Sequence, residues 1–376
     1  MSQRILVDLL GFTGARGGTE TYARELLPRV AAAIPDVQFA AITGRSGAER
    51  VAEFFPGRIH RVNWVGADPA SWAAGAVLAT NTLARRNSAD LVWAPANFGP
   101  IRHGVPRVVT VHDAIYDEVP GSLRDRAQRT ATAWLMARSA RTADAVITVS
   151  HAAAASICEH LGIPSERIHV VHNGSSQPKP AREPWTALAD IGLPRGRQIL
   201  LSVGNRMPHK NFRGLLDALA LIPATQRPLT VIAGSSLPDP LSPSVARRGL
   251  LSDVVLPGWV SANQLEALYQ VADLYVCPSL AEGFGLPILD ALRRGVRVVA
   301  NDIPVLREVG ADSVAYADAT NSTHLASTIA NALRSPASDD DREAAQAWAE
   351  TFTWERSAER TAEVLREALG MARRRR

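Results

Sequence analysis

Two stretches of this 376-residue chain combine charge, glycine and helix-start punctuation in a pattern that suits an anionic ligand. In the first, an apolar run with Tyr275 and Val276 predicts a short buried strand. Ser279 to Gly285 then forms a loop holding one carboxylate, Glu282. A helix follows, opened by Pro287 near its first turn and closed by Gly295, and Val296 to Ala300 returns as a strand. Such a loop lies at the carboxyl end of a strand, where open α/β sheets bind ligands. The N–H groups of Gly283, Phe284, Gly285 and Leu286, with the helix dipole behind them, favour a phosphate, and glycine lets it come close to the backbone. Glu282 in the loop mouth and Asp290, about one turn into the helix, can reach hydroxyls beside that phosphate, the layout of a sugar nucleotide. Taken singly, Glu282 reads equally well as a solvated loop acid, and Asp290 as an acid favoured only through the helix dipole.

The second stretch is Gly204-Asn205-Arg206-Met207-Pro208-His209-Lys210-Asn211, set between a strand and a helix. Breaking a sugar–phosphate bond leaves negative charge on a diphosphate, and fixed cations that meet it lower the barrier. Arg206 offers a planar fork for phosphate oxygens and Lys210 a point charge. The alternative is a basic surface loop. A metal-dependent reaction would need carboxylates instead, and the one tempting run, Asp339-Asp340-Asp341, opens a helix where N-capping explains it more simply. No metal and no other cofactor is expected.

Glu282-Gly-Phe-Gly-Leu-Pro-Ile-Leu-Asp290 resembles the E-x7-E signature of retaining GT-B glycosyltransferases of the group 1 (family 4) class. The resemblance implies that Glu282 holds donor-sugar hydroxyls and that the second acid binds the ribose. That acid is Asp290 here, one methylene shorter than the family's Glu. It also implies that Gly17 and Gly18 approach the donor from the opposite domain, and that Arg206 and Lys210 meet the diphosphate. His112 would contact the donor sugar near the reacting centre. These landmarks occur in the family's order along nearly the whole chain. On residue type alone, His112 in Thr110-Val111-His112-Asp113 reads more simply as a structural histidine at a strand's end, with Asp113 available to fix its tautomer.

The resemblance further implies catalytic roles for His112, Glu282, Arg206 and Lys210, and retention by front-face attack. The Pro-His-Lys-Asn and Thr-Val-His-Asp segments look similar to mannosyltransferases of bacterial surface polysaccharides. GDP-mannose is therefore the first expected donor and a UDP-hexose the second, with a glycan or lipid-linked acceptor. A sugar-nucleotide epimerase on the same fold and a non-catalytic sugar-binding protein are the competing classes. The latter would be expected to carry an export signal, whereas MSQRILVDLLGF enters a strand directly.

With 46% hydrophobic and 21% charged residues the chain reads as globular rather than disordered, and its formal charge is +4. A mildly basic balance suits phosphorylated ligands or an anionic membrane surface, and no zinc-finger or RNP pattern points to nucleic acid. Cys158 and Cys277 read as buried thiols in a reducing cytoplasm. No apolar run is long enough to span a bilayer. The basic helix from Ser122 to Thr142, carrying Trp134, puts Arg126 and Arg129 away from Leu123, Ala127 and Trp134, and Arg138 and Arg141 on the apolar side. An ordinary surface helix explains it better than an interfacial one. The Arg373 to Arg376 run reads as an exposed tail.

Strand alternating with helix predicts two parallel sheets, each covered on both faces. The expected fold is α/β, two Rossmann-like domains facing across a cleft. The first spans 1–174, beginning with strand Gln3 to Leu10, a glycine-rich loop and a helix from Thr19 to Ala33. Residues 175–196, polar and proline-rich, read as a linker. The second domain spans 197–350. After an acidic loop, helices around Asp340 to Thr351 and Trp354 to Ala372 close the chain, and segment 351–376 is expected to pack back on the first domain as in the GT-B family.

Overall fold

A computed structural model describes residues 3–14, 17–97, 99–101, 104–113, 123–335 and 337–374. The chain forms two compact units, residues 1–174 with 352–376, and residues 175–351.

The first unit holds a parallel sheet of seven strands: β1 (Gln3–Leu9), β2 (Val37–Gly44), β3 (Arg58–Val62), β4 (Leu91–Ala94), β5 (Arg107–Thr110), β6 (Ala145–Thr148) and β7 (Ile168–Val170), in the order β3-β2-β1-β4-β5-β6-β7. Its central strands are buried on both faces, so Leu6, Val7, Leu91, Val92 and Trp93 read as continuous apolar runs rather than alternating ones. The order changes direction between β1 and β4, which makes that edge the switch point of the sheet.

The second unit repeats the plan with β8 (Ile199–Val203), β9 (Leu229–Ala233), β10 (Val254–Val255), β11 (Leu274–Cys277), β12 (Val298–Asn301) and β13 (Val314–Ala317), ordered β10-β9-β8-β11-β12-β13. Here the switch point falls between β8 and β11, the two strands that lead into Lys210 and Glu282. Helices Phe212–Leu221 and Ser322–Arg334 cover the core with Leu215, Leu216, Leu219, Leu325 and Ile329.

Several elements differ from the sequence expectation. The helix Pro304–Gly310, β13 and the helix Ser322–Arg334 occupy a stretch to which the sequence pattern assigned no element beyond an acidic loop before Asp340. β13 is four residues long, with Ala315 exposed and Tyr316 partly buried, too little to signal a strand, whereas Asn321 caps the next helix by accepting from the Thr323 and His324 amides. Residues 175–196 are not a free linker. They carry a helix at Pro184–Ala187, and Ala181 exchanges hydrogen bonds with the Gln270 side chain through both its N–H and its carbonyl. Ser175 Oγ accepts from Arg293, and the Ser176 amide reaches the Asp290 carboxylate.

The last helix, Trp354–Arg374, belongs to the first unit. Its Trp354 ring meets Tyr22 edge-on at 6.3 Å, Glu355 pairs with Arg29, and Arg366 reaches Asp36. Gly174 lies against this turn so closely that a Cβ would stand 2.2 Å from the Trp354 nitrogen.

In the helix Leu123–Thr142, Met136 and Ala140 form the buried face, while Trp134 (59% exposed) and Arg138 look outward and Arg141 donates to the Leu161 carbonyl. Trp134 therefore does not share an inward apolar side. The side chains of Leu123, Arg126, Ala127 and Arg129, Ser122 and the Arg373–Arg376 side chains lie outside the described residues. Cys277 is buried and Cys158 only partly so, both as free thiols. Among the described residues no helix is long and apolar enough to cross a membrane.

Candidate functional site

Of the 41 Lys and Arg residues only two, Lys179 and Lys210, are lysines, and Lys210 sits at the switch point of the second sheet. β8 runs into Gly204, and the loop closes in a short 3-10 turn, Pro208–Lys210. Asn211 then takes a left-handed conformation, φ 51°, to start the next helix, and its side chain donates to the Ala319 carbonyl at 2.9 Å. The loop after β11 docks on this turn through the Leu280 amide, which donates to the His209 carbonyl at 2.7 Å. Lys210 Nζ consequently meets Glu282 Oε1 at 2.6 Å, with 18% and 12% of the two side chains exposed. Lysine and glutamate, 72 residues apart, thus form one charged pair.

Past Glu282 the chain turns into the helix Leu286–Arg293 through Gly285, whose φ of 103° suits glycine and whose Cβ would strike Leu306 at 2.9 Å. Phe284 is buried beneath the turn, and Pro287 stands in the first helical turn, where a missing N–H costs nothing. Gly283 to Leu286 thus form the start of that helix.

Asp290 lies on the same helix. Burial pushes its carboxyl up to about 6, against the pull of Arg294 and the Ser176 amide. Arg294 Nη1 is 3.6 Å from Asp290 Oδ1 but forks onto Glu266 at 3.0 and 2.7 Å. Oδ1 is buried and accepts no hydrogen bond from the described residues. An acid so placed is open to a hydroxyl donor.

Arg206 departs from the expectation of an open fork. Its Nε lies 3.1 Å from both carboxylate oxygens of Asp239, Nη2 donates to Asp239 Oδ2 at 2.7 Å and to the Ile232 carbonyl at 2.8 Å, and Nη1 donates to the Gly204 carbonyl at 2.7 Å. The Phe212 ring lies 4.9 Å from the guanidinium carbon. The fork that was to hold phosphate holds a buried aspartate instead.

The remaining predicted residues lie in the first unit. Gly17 precedes and Gly18 begins the helix Gly18–Ala33; both are exposed, and a Cβ on either would meet nothing within 4 Å. Packing therefore does not demand glycine at either position. The loop before them is shaped by Glu20, whose Oε1 accepts from the Thr13 and Gly14 amides at 3.0 and 3.1 Å.

His112 follows β5. Its ring Nε2 is 2.9 Å from the Pro95 carbonyl, its own amide donates to Asn97 Oδ1 at 2.8 Å, and Tyr22 packs edge-on at 4.7 Å. A carbonyl can only accept, so Nε2 carries the proton and Nδ1 is the acceptor. Burial lowers its pKa, which favours the neutral ring. The Pro95 carbonyl thus sets the tautomer that Asp113 was expected to fix.

Three features escaped the sequence reading. Asp239 is hidden in a Pro-Asp-Pro segment. Asn97 and Pro95 act through position alone. Asp8 breaks the apolar run of β1, a visible signal; buried, it accepts from Thr80 Oγ1 at 2.7 Å and the Leu10 amide, and burial pushes its carboxyl up to about 6.

The acids at 339–341 serve their helix: Ser338 and Asp341 form a reciprocal capping box.

Comparison with known proteins places this geometry in context. Residues 185–351 match the model of "Glycosyl transferases group 1", and residues 16–175 that of "Glycosyltransferase Family 4". The chain is 30% identical over 290 residues to O-antigen chain mannosyltransferase B of Escherichia coli, 74% of each chain. Sucrose-phosphate synthase from Thermosynechococcus elongatus superposes with a TM-score of 0.78 at 19% identity, over 97% of this chain and 98% of that one. Anabaena Alr3699/HepE in complex with UDP-glucose does so with a TM-score of 0.72 at 19% identity, over 97% and 99%. These two likenesses concern the fold, which is GT-B.

Proposed function

The chain belongs to the group 1 glycosyltransferases of family 4, and from that premise we propose that it transfers a hexose from a nucleotide sugar to an acceptor hydroxyl with retention of anomeric configuration. The observation that carries the reading is the Lys210–Glu282 pair at the β8/β11 switch point, beside the glycine-opened helix. A donor would part that pair. Its diphosphate takes the Lys210 ammonium and the amides of Gly283 to Leu286, and a sugar hydroxyl donates to Glu282. The open Oδ1 of Asp290 accepts a ribose hydroxyl. As the glycosidic bond parts, charge collects on the leaving phosphate, where Lys210 is already fixed. Gly17 and Gly18 are assigned to the donor, and neutral His112 to the sugar near the reacting carbon.

The mannosyl relative supports mannose, from GDP-mannose, as the transferred sugar, with a UDP-hexose as second choice. A glycan or lipid-linked acceptor in cell-surface polysaccharide synthesis follows from the same likeness. The reaction is proposed to need no metal, because Lys210 supplies the charge a cation would. A peripheral contact with anionic lipid on the cytoplasmic side is proposed from the mildly basic balance of the chain.

A thermal-shift panel of GDP-, UDP-, ADP- and dTDP-sugars tests the donor, since a ligand bound only by the native state raises its melting temperature. GDP-mannose is expected to give the largest rise, and Lys210→Ala to remove it. A rise with UDP-hexoses alone would reassign the nucleotide, and no rise with any donor would sink the reading.

A further inference from the structure

We propose that Arg206 and Asp239 form a brace that positions Lys210, and that Arg206 does not itself grip the donor diphosphate. The activity arm of this inference rests on the function proposed above. Three observations carry it.

All three guanidinium nitrogens are engaged inside the unit, and Phe212 covers one face, so the side chain is only 7% exposed and Asp239 1%. Those partners belong to different strand ends: Gly204 to β8, Ile232 to β9, and Asp239 to the loop after β9. Asp239 Oδ1 also accepts from the Leu241 amide at 2.9 Å, which fixes the carboxylate before Arg206 meets it.

The backbones of the same two loops are in close contact. Gly234, φ 107°, comes so near Gly204 that a Cβ would lie 2.8 Å from the Gly204 carbonyl oxygen. Arg206 stands four residues before Lys210, and between them the Lys210 amide donates to the Met207 carbonyl at 3.0 Å, closing the turn. A loop pinned at Arg206 on one side and by Leu280 to His209 on the other leaves Lys210 little freedom except along its own side chain. The brace therefore acts through Lys210 and needs no contact with the substrate.

The two roles predict opposite results when Asp239 is removed. If Arg206 gripped phosphate, Asp239 would be its competitor, and Asp239→Asn would strengthen binding of GDP or inorganic pyrophosphate. A brace predicts that Asp239→Asn, Arg206→Lys and the double variant all weaken it, by similar factors and without additivity. The expected loss in kcat/KM is on the order of 10²-fold, carried more by kcat than by KM, because a misplaced Lys210 costs more as charge develops on the leaving phosphate than in the bound donor.

A second readout needs no substrate. An amine-acylating reagent followed by mass spectrometry reports Lys210 against Lys179, which is exposed and serves as internal standard. In the wild type the pairing with Glu282 protects Lys210. Loss of the brace should raise the Lys210 to Lys179 ratio several-fold at temperatures well below melting, and Asp239→Glu should restore part of the protection. A purely structural role would lower the melting temperature and leave that ratio unchanged. Unchanged protection in folded Asp239→Asn, or tighter GDP binding by it, would overturn the proposal. If the wild type binds no nucleotide sugar, the functional reading fails on its own and the acylation ratio still decides the brace.

Discussion

At the carboxyl edge of the first sheet, β5 is followed by a histidine that burial keeps neutral, β1 carries an aspartate whose carboxyl is pushed up to about 6, and both are held by hydrogen bonds to carbonyl, hydroxyl or amide groups. At the matching edge of the second sheet, Lys210 meets Glu282 and Arg206 meets Asp239. The same strand-and-helix plan is thus finished with hydrogen bonds to uncharged partners in one unit and with paired charges in the other. The sugar transfer proposed above asks for both kinds of group. Hydroxyls on carbon need hydrogen-bonding partners, and the departing phosphate needs compensating charge.

Predictions that would break this contrast follow in order of expected size. Lys210→Ala should lower kcat by about 10²- to 10³-fold while circular dichroism stays native, because one fixed cation facing the leaving group is lost. An effect below tenfold in steady-state transfer assays would remove the charged edge from the mechanism.

Asp290→Asn should stabilise the folded protein at pH 7.5, by at most about 3 kcal/mol, since a shift of one pKa unit corresponds to 1.36 kcal/mol. The sign follows from linkage. A carboxyl raised from 3.8 to about 6 makes the native state bind its proton more tightly than the unfolded chain. Its contribution is fully present below pH 4 and is lost as pH rises through about 6. Urea unfolding at pH 4 and pH 7.5 should therefore show the variant's advantage only at the higher pH, together with weaker donor binding at that pH.

His112→Ala should lower kcat about 10-fold to 10²-fold, less than Lys210→Ala, as expected for a hydrogen-bonding rather than a charge-bearing group. Because burial lowers the His112 pKa, its neutral form is native and its stabilising contribution rises with pH. It is lost as pH falls through the ordinary histidine range. A His112 imidazole found charged by NMR at pH 7 would contradict the neutral edge.

The smallest effect belongs to Glu20→Gln, which keeps an acceptor for the Thr13 and Gly14 amides but loses the charge. About 1 kcal/mol of stability should go, read by thermal melting.

The sequence revealed most of the second unit's edge because its chemistry is contiguous. Glu282 and Asp290 share one loop and helix, glycine and proline mark where that helix begins, and the loop's order after β11 follows from the strand pattern. The pairing of Lys210 with Glu282 was not legible, since sheet order β8-β11 is a tertiary fact that joins segments 72 residues apart. The partner of Arg206 was not legible for a related reason. A cation near a strand end looks alike whether it faces solvent or a buried acid, and Asp239, 33 residues on, carries no local sign of that role. In the first unit the helix and strand pattern was plain. The His112 tautomer was not, because it depends on the Pro95 carbonyl, and a main-chain atom has no sequence signature. β13 was missed because four residues on a sheet edge give too short a period to read.

The return of the helix Trp354–Arg374 to the first sheet bears on how the protein is made. Residues 175–351 are continuous in the chain, whereas Arg366 completes a contact with Asp36, 330 residues upstream. A ribosome adding about 5–20 residues per second leaves that seam open for on the order of tens of seconds. The later-made half is thus the first that can finish, and the half begun first stays unsealed, with Tyr22 waiting for Trp354, until the helix Trp354–Arg374 has been made.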